Sequence, residues 1–131
     1  MKPGKNKDIH HAADCKRAVA NVKDALYVLN GKWKLPLIVA LSEGPLRFKE
    51  LQRKTEGITP KILSKELKEL ELNEFVNRTV YATSPVTVEY ELTPYSKTLD
   101  RVLIELQTWG EKHRQYIFSK SRKNKREREF A

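Results

Sequence analysis

LRFKELQRKTEGITPKILSKELKELEL, from Leu46 to Leu72, decides the fold. Phe48, Leu51 and Thr55 recur at helical spacing and would form the buried side of one short helix. Gly57 accepts the left-handed backbone that ends a helix. Thr59 followed by Pro60 is an N-cap and first-turn signal for a second helix. Leu63, Leu67 and Leu70 make the inner seam of that helix. Lys61, Lys65 and Lys68 fall on another face, four and three residues apart, with Ser64 beside them. Glu66, Glu69 and Glu71 are expected to limit the width of that basic face. Two short helices with a basic outer stripe on the second form the pattern of a helix-turn-helix.

The segments before this motif read as scaffold. Ala18, Val22, Ala25, Leu26 and Leu29 predict a first helix from Arg17, ended by Asn30-Gly31. Lys32 to Leu41 predicts a second, nearly all-apolar helix, with Pro36 tolerable only near its first turn. Trp33 reads as a packing anchor. Ser42 to Pro45 stops that helix, and Leu46-Arg47 is a short extended link.

After the motif, Glu74–Tyr81 is rich in β-branched and aromatic residues, and Val86–Leu92 alternates strictly between apolar and polar. The linker Ala82 to Pro85 is short enough for a hairpin. Two strands after a helix-turn-helix make a wing, so the fold class is mainly α with a β-hairpin, a winged helix-turn-helix. Thr93-Pro94 predicts the start of a last helix running to about Ile117. Its stripe is Leu99, Val102, Leu106, Trp109 and His113, widened by Leu103 and Tyr116. That stripe exceeds what a small core needs to cover. Together with Val19, Val22 and Leu26 of the first helix it predicts a homodimer interface; the alternative is packing of the two helices within one chain.

The net charge of +9 is unevenly spread over the 131 residues. Residues 18–111 carry thirteen Lys/Arg and thirteen Asp/Glu, so the excess sits in the two ends. Residues 1–14 read as a flexible basic arm, 15–118 as the domain, and 119–131 as a disordered basic tail. A positive chain favours nucleic acid or another anionic surface. No apolar run approaches the roughly 18 residues of a membrane span, and nothing apolar follows the basic N-terminus as a secretory signal would require, so a cytoplasmic location is expected.

Enzyme chemistry finds no support. A glycine-rich phosphate loop, HExxH, GxSxG and Cys-x-x-Cys are all absent, and no cofactor is implied. His10, His11 and Cys15 could supply soft metal ligands, but three residues on an arm fall short of a closed four-ligand site, so no metal is assigned. Cys15 is the only cysteine; beside Lys16, Arg17 and a helix start it would favour the thiolate and is a candidate redox sensor. For binding to double-stranded DNA, Lys61, Ser64, Lys65 and Lys68 would meet base edges or phosphates in the major groove. Arg47, Lys49 and Arg53 could hold the backbone. The wing would approach with Thr83 and Ser84 at its tip and Arg78 at its base. Singly, each lysine is as well explained as a solvating surface residue.

These segments together resemble the HxlR-type family of bacterial winged-helix transcription regulators, relatives of the MarR type. The resemblance rests on Cys15, GKWKLPLI (Gly31–Ile38), EGPLRFKEL (Glu43–Leu51), GITPKILSKELKELE (Gly57–Glu71), FVNRTVY (Phe75–Tyr81), VEYELT (Val88–Thr93) and Trp109-Gly110, and covers residues 15–112. It implies a homodimer on palindromic operator DNA, with the first and last helices at the interface, the fourth helix as reader and the hairpin as wing. It also implies that the cysteine matching Cys15 senses oxidants or electrophiles in some members. Pro36, the uncharged wing tip Pro85-Val86-Thr87, Tyr95-Ser96 and the tail after Phe118 depart from the family pattern. Two other functions fit the charge map: a winged-helix module for an acidic protein partner, and nonspecific DNA binding driven by the tails.

Overall fold

The computed structural model describes residues 12–129. Its elements are α1 (Ala12–Val28), α2 (Lys34–Ala40), β1 (Leu46–Arg47), α3 (Phe48–Lys54), α4 (Pro60–Leu72), β2 (Val76–Tyr81), β3 (Thr87–Leu92), a 3-10 turn (Pro94–Leu99) and α5 (Asp100–Glu129). This is the expected winged helix-turn-helix.

The core forms where α2, α3, α4 and the sheet meet. Leu37, Ile38, Leu41, Leu51, Ile58, Leu63, Leu67, Leu70, Phe75 and Val76 are all buried. Fully burying an aliphatic side chain of this kind contributes about 1.5–3 kcal/mol. Trp33 packs against this core as a half-buried anchor. Pro36 is the third residue of α2, inside the first turn, where its missing N–H has no helical acceptor to lose.

Local signals place the motif as expected. The Thr59 hydroxyl accepts from the Ile62 N–H at 3.3 Å, and Pro60 follows at the first helical position. Gly57, at φ +91°, turns the chain between α3 and α4. α4 ends differently. The Phe75 N–H returns to the Leu70 carbonyl at 2.9 Å, and Glu74 takes the left-handed position, φ 66°, that glycine usually fills.

The sheet has three strands in the order β1-β3-β2, all antiparallel. Leu46-Arg47 is thus more than an extended link: it pairs with Tyr90 and Glu89 and ties the helix-turn-helix to the wing. Two residues satisfy the strand pattern only when β3 is already present, so periodicity could not reveal it.

Four expectations change. α1 begins by Ala12, so Cys15 lies within the helix rather than ahead of it, and only residues 1–11 of the expected arm, with His10 and His11, lie outside the described residues. The last helix is preceded by a 3-10 turn capped by the Thr93 hydroxyl, and α5 proper starts at Asp100. α5 then runs on to Glu129, through the stretch expected to be a disordered tail. Residues 119–129 contain no Gly or Pro and are rich in Lys, Arg and Glu, so a helix already nucleated upstream extends through them at little cost. Finally, Leu99 and Leu103 pack against the core of their own chain instead of joining a free seam.

Candidate nucleic-acid interface

α4 turns one face inward and one outward. Leu63, Leu67 and Leu70 are buried, while Lys61, Ser64, Lys65 and Lys68 are exposed on the opposite side. The predicted stripe therefore exists as a continuous polar and basic surface. Arg47, Lys49, Arg53 and Arg78 are also exposed. The Arg47 N–H donates to the Glu50 carboxylate at 2.9 Å, which closes the first turn of α3. On the sheet Arg47 stands opposite Glu89.

The wing tip is organised by its own hydrogen bonds. The Thr83 hydroxyl donates to the Pro85 carbonyl at 2.7 Å and lies 3.0 Å from the Thr87 hydroxyl. It is committed to shaping the tip, which also contains a cis Ser84-Pro85 bond. Ser84 is exposed. Arg78 pairs with Tyr90 well below the Tyr81–Thr87 end of the hairpin, so it stands on the body of the wing.

One cluster forms only in the folded chain. Lys34 is only 2% exposed, and its ammonium donates to Glu66 at 2.8 Å, to Glu69 at 3.0 Å and to the Asn30 side-chain oxygen at 3.0 Å. Glu66, expected on the surface among the lysines, is buried beneath α4. Burial alone would lower the Lys34 pKa, but hydrogen bonds and charge attraction from Glu66 and Glu69 outweigh it and raise the pKa above the ordinary value. The hydrogen bond from Lys34 holds the Glu69 carboxylate below its ordinary pKa, with smaller help from the charges of Lys34 and Lys65. A lysine opening an otherwise apolar helix was the signal available; its glutamate partners, 32 and 35 residues away, carried none.

α1 and α5 present the other surface. No residue of either helix is buried. Val19, Val22 and Leu26 on α1, and Val102, Leu106 and Trp109 on α5, are about half exposed or more, with Trp109 at 63%. His113 stacks on Trp109 with ring centroids 4.8 Å apart and planes within 8°. Cys15 is a free, exposed thiol on α1, and the neighbouring Arg17 guanidinium is engaged by Asp14. Among the described residues no group of side chains could hold a metal ion, and no helix is long and apolar enough to cross a membrane.

The family model for the HxlR-like helix-turn-helix matches residues 28–117. BH0655, an uncharacterized HTH-type transcriptional regulator of Halalkalibacterium halodurans, is 44% identical over 107 residues, which span 77% of this chain and 95% of that one. The redox regulator HypR in its reduced form superposes with a TM-score of 0.70 at 37% identity, covering 76% of this chain and 98% of that one. Reduced YodB, a transcriptional regulator of Bacillus subtilis, superposes with a TM-score of 0.62 at 38% identity, covering 70% and 89%. With the exposed stripe on α4 and the wing behind it, this likeness has one meaning: the chain belongs to the HxlR-like helix-turn-helix family of transcriptional regulators.

Proposed function

We propose that the protein regulates transcription as a homodimer on palindromic operator DNA, and that modification of Cys15 by an oxidant or electrophile changes its hold on that DNA. The observation that carries DNA reading is the exposed Lys61–Ser64–Lys65–Lys68 stripe on α4, backed by a fully buried leucine seam. Lysine can reach guanine O6 and N7 or a phosphate, and Ser64 can bond either a base edge or the backbone. Arg47, Lys49 and Arg53 would grip phosphates on the flank.

Dimerisation is supported by the bare apolar surface of α1 and α5. Exposed apolar area on that scale normally marks an interface. A two-fold axis would present two α4 helices to half-sites about 34 Å apart. Cys15 lies on α1, beside that surface, and the similar protein HypR is a redox regulator.

The test starts from duplexes selected by the wild-type chain from a randomised pool. A palindromic consensus, bound by orders of magnitude better than scrambled DNA at physiological salt, is expected. Equal binding to both would exclude operator recognition and favour tail-driven binding. For Cys15, diamide should release DNA from the wild type and leave Cys15→Ser bound; equal release from both would exclude a sensing role.

A further inference from the structure

The leucine seam holds α4 against the core, but the hydrophobic effect is non-directional and limits the roll of a helix less sharply than directed hydrogen bonds do. Side chains of a helix reach about 5–6 Å from its axis, so a roll of 20° displaces their tips by about 2 Å. Contacts to base edges tolerate far less, on the order of 0.5 Å. A directional contact on the flank would sharpen the angle at which Lys61, Lys65 and Lys68 leave the surface.

Glu66 and Glu69 occupy the flank of α4 between the buried seam and the basic stripe: Glu66 is buried, Glu69 half-buried, and Lys65 and Lys68 exposed. We propose that Lys34 is the positioning residue of the reading helix: its ammonium fixes the roll of α4 and keeps the Glu69 carboxylate away from Lys65. All three ammonium protons are directed, to Glu66, Glu69 and Asn30. The Asn30 amide in turn donates to the Tyr27 carbonyl at 3.1 Å, so the frame that holds Lys34 is the junction of α1 and α2. Glu69 lies four residues after Lys65, one turn along the same helix, where the two charges already attract. Freed from Lys34, that carboxylate would pair with Lys65 and repel phosphate. This role rests on α4 being the DNA reader.

The test compares discrimination between the selected duplex and its scrambled counterpart, per unit of active protein. The triple variant Lys34→Met, Glu66→Gln, Glu69→Gln removes the three charges together, so no buried charge is orphaned. It should keep a melting temperature close to wild type yet lose discrimination by about tenfold or more, the size of one good base contact. Lys34→Arg, which retains a charged donor, should keep most of the discrimination. A folded triple variant that discriminates as well as wild type would overturn the role. Should the triple variant not fold, Asn30→Ala carries the test. Asn30 is exposed, so stability should hold while discrimination drops about two- to threefold; an unchanged ratio overturns the proposal. A wild type that fails to discriminate at all overturns operator reading, and this role with it; an unchanged ratio in the variants overturns this role alone.

Discussion

The winged core and the two terminal helices treat their apolar residues in opposite ways. α4 buries Leu63, Leu67 and Leu70 completely within one chain, and a charged clamp closes its flank. α5 has no buried residue and leaves Trp109 and Leu106 largely open. The core is therefore a finished solution of its own hydrophobic problem, whereas α1 and α5 leave theirs open. Under the proposed function, recognition and assembly would reside in different surfaces, and mutations should separate them.

The largest effects should come from attacking each surface at its centre. Leu67→Ala should cost about 3 kcal/mol of stability by leaving a cavity, with unfolding followed by urea titration. Leu106→Asp should leave the winged core folded but convert a dimer into monomers in sedimentation. A monomeric wild type in the same measurement would erase the contrast.

Next in size is the clamp. Lys34→Met alone strands Glu66 and should cost about 2 kcal/mol, below the fully enclosed case because Glu69 is partly open to water. The pH dependence follows from the two shifts. Glu69 has a lowered pKa in the folded state, so its contribution is present above the ordinary carboxylate range and is lost as pH falls through it. Lys34 has a raised pKa, so its contribution is complete below about 10.4 and disappears only at higher pH. Urea midpoints should fall below about pH 4.5 and above about pH 10.4 more steeply in wild type than in the triple variant.

Smaller effects distinguish reading from grip. Lys65→Ala should weaken the selected duplex by about 1–2 kcal/mol, measured by fluorescence anisotropy, with less effect on scrambled DNA. Removal of residues 119–131 should lower affinity for both duplexes alike and flatten the salt dependence, while the ratio between them persists. Smallest of all, Thr83→Val should change affinity by less than about 0.5 kcal/mol, since that hydroxyl already serves the wing tip.

Most of the candidate interface was legible because its determinants are local. Thr59-Pro60 announces α4, the alternation of Val86–Leu92 announces β3, and lysines spaced by four and three announce one face of a helix. Most of what escaped was nonlocal. Glu66 has the same composition signal as an exposed helical glutamate; only the approach of α2 brings Lys34 over it and makes it a buried partner. Leu99 sits in register with the exposed seam of α5, yet the 3-10 turn that precedes the helix directs it into the core. Residues 119–129 have a composition that fits disorder and helix equally, and continuation from α5 decides for helix.

Sequence by itself determined the winged helix-turn-helix, the second helix of the motif and its exposed basic stripe, because caps, periodicity and turn residues act over a few positions. Tertiary structure alone decided the third strand, the inward turn of Leu99 and the Lys34–Glu66–Glu69 clamp. Each of these depends on two segments meeting across tens of residues, and the free energy of such a meeting is not written in either segment alone.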